Sequence, residues 1–309
     1  MSRKVAIAVA AALVAGVFLS LALPRLQYSP PRAPAEGEGK PESGAAAGPQ
    51  RVICMSPSVT EIVFAIGQGS RVVGISQYTT YPPEALKQPE CGGFVNPNFE
   101  RVLELKPDLV INQGIAEKTN VFCRDRGIPF TSVELTDLES VFAAIRQIGH
   151  ALASEEDADV LCAKMRLRLA DVAARVKGRP RPRVLLLVGR DSGSLRDLTA
   201  AGGGTFLHDV LQIAGGDNVF ADVKDYAAVS KESLLLRQPD VVLELRGEGM
   251  MGKEQLAEII SIWNSMPTLS AVKNGKICAI GDTYALIPGP RLVELADRIA
   301  EVLQSPGGE

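Results

Sequence analysis

One stretch of this 309-residue chain is written twice, and the repeat limits what the chain can fold into. Residues 99–111 and 231–243 align around a shared Pro-Asp pair, with each residue of the second copy 132 positions after its counterpart. The same alignment places Glu100 on Glu232. Because an internal repeat marks a repeated structural unit, the duplication predicts two similar halves.

Each copy has the pattern of a short helix followed by a buried strand. Asn98 and Ser230 are good N-cap residues, and the residue before each proline is disfavoured in the helical region, which ends the helix. The apolar triplets that follow lack polar alternation, as is typical of strands buried on both faces of a parallel sheet. Strand-like runs beginning at Arg51 and Arg183 repeat at the same spacing. The sequence therefore predicts an α/β fold with two similar parallel-sheet lobes.

The pattern between the two halves is helical. Its second helix, from Glu155 to Lys177, would be about 35 Å long at 1.5 Å per residue, and we expect it to join the lobes as a single long backbone helix. The predicted segments are a signal peptide or N-terminal anchor at 1–26, a disordered linker at 27–50, an N-terminal α/β lobe at 51–136, a helical connection at 137–178 and a C-terminal α/β lobe at 179–305.

The first residues predict export. Basic residues precede an uncharged apolar run from Val5 to Leu23, which is the pattern of a signal peptide. Small residues allow cleavage after Ala22, but the run also approaches the roughly 20 residues that span a bilayer, so a cleaved signal and an uncleaved anchor both stay open. The Pro-, Gly-, Ala- and Glu-rich linker resembles a tether. We expect a periplasmic or extracytoplasmic protein that touches the membrane only if this segment is uncleaved.

Composition argues against several classes of function. A net charge of −3 offers no bulk attraction for nucleic acid. The two histidines, His150 and His208, stand apart from any ligand spacing, and no catalytic motif is present, so we predict neither a metal site nor an enzyme. The five cysteines lack C-x-x-C spacing, and their odd number leaves at least one thiol free. A pair between Cys91 and Cys123 stays open.

Aromatic residues and arginines are concentrated in predicted loops. Because binding residues are commonly displayed on loops of a rigid scaffold, this distribution favours ligand binding in a cleft between the lobes. Each aromatic residue could instead anchor its loop to its own lobe. The candidate contacts are Tyr78, Phe94, Tyr226 and Tyr284, with Arg190 and Arg246.

Several motifs in order resemble one family. They are Val52 to Glu61, Tyr78 to Ala85, Glu100 to Ile111, Ala214 to Phe220, Val229 to Glu232 and Gly289 to Arg291. Together they are similar to the periplasmic binding proteins of ABC importers for cobalamin and iron chelates. The resemblance implies a monomer of two α/β lobes joined by one backbone helix. Such a protein would hold cobalamin or an iron chelate, with no other cofactor, and deliver it to an ABC permease and its ATPase.

The resemblance also implies roles for individual residues. Glu100 and Glu232 match the glutamates that meet arginines on the permease, and Tyr78 matches the tyrosine of a ligand loop. A second ligand loop corresponds to Asp282, Thr283 and Tyr284.

Two positions differ from the cobalamin-binding members. Phe94 replaces a tryptophan and Ala214 replaces a disulfide cysteine, which counts against cobalamin in particular. Haem or a ferric siderophore would use the same cleft, with Arg190 or Arg246 meeting carboxylates or catecholates.

Two other functions are compatible with the same fold. One is a membrane-tethered sensory or scaffolding domain that binds a ligand without transport. The other is an enzyme such as a metal chelatase, which would need a cluster of titratable His or Glu residues in the cleft.

Overall fold

The structure, a computed structural model, describes residues 48–305. The predicted signal or anchor at 1–26 and residues 27–47 of the predicted linker lie outside the described residues. Within residues 48–305, no helix is both long enough and apolar enough to cross a membrane. The predicted α/β fold is confirmed, with one sheet in each of two lobes.

The N-terminal lobe contains a four-stranded sheet in the order β2-β1-β3-β4, and all of its strand pairs are parallel. Its strands are β1 (Val52–Cys54), β2 (Val72–Ile75), β3 (Leu109–Gln113) and β4 (Phe130–Val133). Helices α1 (Pro57–Ala65), α2 (Phe99–Glu104) and α3 (Glu117–Arg126) connect them. Ser56 caps α1 by accepting a hydrogen bond from Val59 N at 3.3 Å, and Pro57 occupies the first helical position, where its missing N–H costs nothing.

The C-terminal lobe contains a six-stranded sheet whose main path is β10-β9-β5-β6-β8, with β7 paired to β5. Its strands are β5 (Arg183–Gly189), β6 (Leu198–Ala201), β7 (Asp217–Asn218), β8 (Tyr226–Val229), β9 (Val241–Leu245) and β10 (Ile277–Ile280). The pairs of β5 with β9, of β9 with β10 and of β5 with β7 are parallel, as predicted. Strand β6 is antiparallel to both β5 and β8, so this sheet is mixed. The Gly- and Ser-rich stretch 189–204 contains β6 because a short antiparallel return needs no crossover helix.

The remaining helices are α4 (Leu138–Ala151), α5 (Glu155–Val176), α6 (Phe206–Ile213), α7 (Lys231–Arg237), α8 (Lys253–Trp263), α9 (Ser270–Lys273) and α10 (Leu292–Gln304). Helix α5 has 22 residues and is the predicted long backbone helix. It packs against the last helix, where Arg168 contacts Glu294 at 3.0 Å and Asp297 at 2.8 Å.

The sequence repeat is also a structural repeat. Helices α2 and α7 are followed by Lys106 and Gln238, both before proline and both left-handed, with φ of 45° and 43°. In each lobe the aspartate after that proline binds the start of the first strand: Asp108 accepts from Arg51 N at 2.8 Å, and Asp240 accepts from Arg183 N at 2.9 Å. The equivalent strands β3 and β9 therefore enter their sheets in the same way.

The two lobes share one hydrophobic core. A single buried cluster runs from β1 and α1 through α4 and α5 to α6, β5, β9 and α10. Hydrogen bonds also cross between the halves, among them those from Leu138 N to Asp209 Oδ2 at 2.9 Å and from Phe206 N to Thr136 O at 2.7 Å. Continuous packing of this kind restrains rigid-body movement of one lobe against the other.

All five cysteines are buried free thiols, so the pairing left open between Cys91 and Cys123 is not made. Both lie in a small cluster under the outer face of the N-terminal sheet. Burial raises the pKa of Cys91 and of Cys123 to about 11. Because a thiol must ionise to react, these cysteines behave as small apolar side chains.

Candidate functional site

The carboxyl ends of the strands of both sheets meet at one cleft. Helix α1 starts directly after β1, and the loop 76–83 follows β2. In the other lobe, Arg246 follows β9 and the loop 281–291 follows β10. In α/β sheets, ligands bind outside the carboxyl ends of the strands, so this cleft is the candidate site.

A buried ion pair closes the floor of the cleft. Arg291 of the C-terminal lobe donates from Nη2 to Oε1 of Glu61 at 2.6 Å and from Nε to Oε2 at 3.0 Å. Glu61 projects from α1 in the N-terminal lobe, and its side chain is 3% exposed. Burial raises the pKa of Glu61, and the hydrogen bonds and charge of Arg291 oppose that effect. The bidentate geometry is that of an ionised pair that joins the lobes.

Arg291 also positions two aromatic side chains. Its guanidinium carbon lies 4.1 Å from the ring centroid of Tyr81 and 5.4 Å from that of Tyr284, both within the range of a cation–π interaction. Its Nη1 donates to Thr283 Oγ1 at 3.2 Å. One arginine thus connects α1, the loop after β2 and the loop after β10. The predicted contacts Thr283 and Tyr284 lie at this junction.

A second buried charge cluster lies at the carboxyl ends of β5 and β9. Glu244 Oε1 accepts from Arg190 Nε at 2.8 Å and from Trp263 Nε1 at 2.6 Å. Its Oε2 accepts from Nε and Nη2 of Arg246 at 3.2 and 3.0 Å. One carboxylate therefore serves two guanidinium groups and an indole.

The structure distinguishes the two predicted arginines. The side chain of Arg190 is 3% exposed and is directed at Glu244 rather than at the open cleft, and its contact with a ligand stays a prediction. The side chain of Arg246 is 28% exposed and lies beside the loop 281–287, where Arg246 N donates to Ile280 O at 2.9 Å. Arg246 stays a predicted ligand contact.

The predicted ligand contacts Tyr78 and Tyr226 lie in different surroundings. Tyr78 packs over Gly93, next to Phe94, so closely that a Cβ on Gly93 would lie 2.4 Å from its ring. The loop that carries Tyr78 therefore packs against the loop that carries Phe94.

Tyr226 lies in β8 rather than in the predicted loop, opposite Ala201 in the register. Because β8 is antiparallel to β6, which is itself antiparallel to β5, Tyr226 stands at the end of β8 away from the cleft. It packs on the core, and burial raises its pKa, helped by the negative charge of Asp225. The prediction that Tyr226 lies in a loop is therefore wrong, while its contact with a ligand stays a prediction.

Apolar side chains line the mouth of the cleft from both lobes. Ile115 follows β3 and Met250 follows β9, and both are largely exposed. Gly249 N donates to Gly281 O at 2.7 Å, which fixes the Met250 loop beside the predicted ligand residue Asp282. The two equivalent strands are thus each followed by an exposed apolar side chain.

The predicted docking residues occupy equivalent exposed positions. Glu100 is in the first turn of α2 and Glu232 is in the first turn of α7. Three residues later each helix exposes a leucine, Leu103 at 38% and Leu235 at 40%. Hydrogen bonds from its own backbone N–H and from Ser230 lower the pKa of Glu232. The two lobes therefore offer similar faces, each combining a carboxylate with an apolar side chain.

Sequence reasoning missed the residues that organise the cleft. Glu61 lies in a helix of otherwise mostly apolar residues, and Glu244 lies in the apolar strand Val-Val-Leu-Glu-Leu. Acidic residues are almost never fully buried unless they are paired, so a carboxylate inside an apolar run was the available signal. No local pattern indicates that Glu61 pairs with Arg291, or that Glu244 pairs with Arg190 and Arg246.

Within residues 48–305, no group of three or more His, Cys, Asp or Glu side chains is arranged to hold a metal ion. The charged clusters of the cleft pair each carboxylate with arginine and leave no set of acidic ligands together. The cleft can therefore bind through arginine, aromatic and apolar side chains.

Comparisons with known proteins agree with this geometry. A family model described as "Periplasmic binding protein" matches residues 52–284. A vitamin B12-binding protein of Salmonella typhimurium is 34% identical over 196 residues, covering 62% of this chain and 71% of its own length.

Two solved structures are similar over most of both chains. The periplasmic vitamin B12-binding protein of Vibrio cholerae superposes with a TM-score of 0.69 and 25% identity, covering 83% of this chain and 97% of its own. A periplasmic haem-binding protein of Roseiflexus sp. RS-1 gives a TM-score of 0.67 and 29% identity, covering 83% and 100%. The ligands named for these proteins differ, while the two-lobed fold is shared.

Proposed function

Because this chain belongs to the periplasmic binding protein family, we propose that it is the solute-binding component of an ABC importer. It works outside the cytoplasm and carries cobalamin or a related iron chelate, such as haem or a ferric siderophore, to the permease. The observation that supports this role most directly is the cleft that Arg291 closes between the carboxyl ends of the two sheets.

The cleft suits a large, flat, mostly apolar ligand with polar edges. Ile115 and Met250 provide apolar surface on opposite lobes, and the aromatic rings of Tyr78, Phe94 and Tyr284 provide flat faces. Such sites combine apolar walls with a few placed polar groups. Relatives named for vitamin B12 and for haem carry metal macrocycles of this kind.

The metal chelate is cargo, and we assign no resident cofactor and no catalytic step. The titratable residues of the cleft floor are held by arginines, which leaves them as structural contacts. The matched docking faces of the two lobes favour delivery to a permease over a sensory or scaffolding role. We therefore expect the chain to act as a monomer on a transporter of two-fold or pseudo-two-fold symmetry.

Ligand binding is the first test of this function. The purified full chain should bind at least one of cyanocobalamin, haemin and a ferric siderophore, and binding should raise its melting temperature by mass action. Quenching of the single tryptophan gives an independent titration. Failure of all three ligands in both measurements would refute the proposal.

Docking gives the second test. Replacing Glu100 and Glu232 together by alanine should abolish ligand uptake while the dissociation constant stays within about twofold, because exposed charges orient association without touching the cleft. Uptake of labelled ligand is measured in cells whose chromosomal copy is deleted.

The control for this test removes the same charge elsewhere. Glu156 on α5 and Glu258 on α8 are exposed, and their double alanine variant should transport normally. Normal uptake by the Glu100 and Glu232 variant would refute the docking assignment while leaving ligand binding untouched.

A further inference from the structure

We propose that Arg246 binds a carboxylate of the cargo, so that the natural ligand is a carboxylate-bearing metal chelate rather than a corrinoid with amide side chains. The inference rests on the proposed function and narrows its ligand. It follows from the charges, the free donor and the position of Arg246.

The charges in this cluster do not balance. Glu244 is the only carboxylate within 4.0 Å of either guanidinium among residues 48–305, and Arg190 and Arg246 share it. One positive charge is therefore left without a counter-charge. By contrast, the Glu61 and Arg291 pair at the cleft floor contains one charge of each sign.

The unbalanced charge belongs to the accessible arginine. Arg190 and Glu244 are each 3% exposed and neutralise one another in the interior. Arg246 keeps 28% of its side chain exposed at the cleft. Removing a cation from water is costly unless an anion replaces the lost hydration, so a ligand that covers Arg246 must supply one.

Glu244 also fixes the direction of the free donors. Both Nε and Nη2 of Arg246 donate to Oε2 of Glu244, and Nη1 donates to no atom of the described chain. The guanidinium is thus held along one edge, while Nη1 stays available to a ligand. Glu244 acts here as a positioning residue, and Arg246 makes the contact.

The position of Arg246 matches the polar edge of a cargo held in the cleft. Arg246 directly follows β9, and its N–H donates to Ile280 O of β10, directly before the loop that carries Thr283 and Tyr284. A ligand whose flat face meets the ring of Tyr284 would direct an edge substituent at Arg246. Charge-assisted hydrogen bonds to a carboxylate are among the strongest that a guanidinium makes.

Two sources provide this chemistry, and the test separates them. Haemin carries two carboxylates, and ferric citrate represents carboxylate siderophores. Haemin dimethyl ester keeps the macrocycle and its iron but lacks the two carboxylate charges. Cyanocobalamin carries amides around its corrin ring. The affinity of the full chain for each is measured by quenching of Trp263, the only tryptophan, which donates to Glu244.

We expect haemin or ferric citrate to bind, and we expect Arg246→Gln to weaken that binding by about tenfold or more. If haemin is the cargo, its dimethyl ester should bind about tenfold more weakly to the unsubstituted protein and should be insensitive to Arg246→Gln. The control Arg183→Gln removes the same charge at the amino end of β5, at the opposite end of the strands from the cleft. It should change the affinity for neither haemin nor its dimethyl ester.

The outcomes separate this inference from the proposed function. Tight binding of cyanocobalamin without binding of either carboxylate ligand would overturn the inference and leave the importer role intact. Unchanged affinity of Arg246→Gln for the carboxylate ligand that binds would also overturn it. If no corrinoid, haem or ferric chelate binds at all, both fail together.

Discussion

Replacing Glu61 by alanine is expected to lower the free energy of unfolding by about 3–5 kcal/mol, because it leaves the guanidinium of Arg291 without its counter-charge. Among residues 48–305, the contacts left to the Arg291 guanidinium would be the hydroxyl of Thr283 and the ring faces of Tyr81 and Tyr284. For a chain of this size the expected drop in melting temperature is roughly 6–20 °C. Thermal unfolding followed by circular dichroism measures it.

The double variant Glu61→Leu with Arg291→Met is the control for this effect. Removing both charges avoids a buried unpaired ion, so the double variant should recover much of the lost stability. The pair also joins the lobes, so the single variant should release its ligand faster than the unsubstituted protein. A loss below about 1 kcal/mol in the alanine variant, which is typical of exposed ion pairs, would show that the pair is not the closure described above.

The repeat accounts for how much of the fold could be predicted. Asn98 and Ser230 as caps, the proline that ends each helix and the apolar strands that follow are local signals, and each acts through its own backbone. These signals predict the helix–strand units α2–β3 and α7–β9. Each helix does end before its proline, where Lys106 and Gln238 adopt a left-handed conformation. Local signals of this kind need no knowledge of the rest of the chain.

The departures arise where structure depends on distant partners. Strand β6 exists because its residues pair with β5 and β8, and neither partner is encoded in the four residues of β6 themselves. Tyr226 stood beside turn-forming residues and was interpreted as a loop residue, but its pairing with Ala201 places it in β8. β-pairing is a property of context more than of composition.

The candidate site divides in the same way. Tyr78, Phe94, Thr283 and Tyr284 are predicted ligand contacts from loop position and resemblance. The structure packs Tyr78 on Gly93 and joins Thr283 and Tyr284 to Arg291, and their contact with a ligand stays a prediction. The different roles of the two arginines could not be predicted from the sequence, because Arg190 and Arg246 both directly follow a strand. The structure distinguishes them by their exposure beside the shared carboxylate of Glu244: Arg190 is the buried partner, and Arg246 is the accessible one.

Glu244 is the position where a single substitution should cost most. Alanine there would leave Arg190 buried with an unpaired charge and would remove the acceptor of the Trp263 indole at once. The lost ion pair alone predicts a destabilisation of about 3–5 kcal/mol. An unsatisfied buried donor adds about 1–3 kcal/mol. We expect this variant to melt at a lower temperature than the Glu61 variant, with Trp263 fluorescence and circular dichroism as readouts.

Two further variants test whether the buried charge is the cause. Glu244→Leu combined with Arg190→Met removes both buried ions and should be more stable than the alanine variant, since an apolar pair of similar volume can replace a buried ion pair. Glu248→Ala removes an exposed carboxylate from the following loop and should change stability by no more than about 0.5 kcal/mol. Equal losses in the Glu244 and Glu248 variants would contradict a structural role for the cluster.

The same double variant tests whether Glu244 positions Arg246. The variant with Glu244→Leu and Arg190→Met should fold and still bind the carboxylate ligand less tightly than the unsubstituted protein. The reason is that the guanidinium of Arg246 is no longer fixed along one edge.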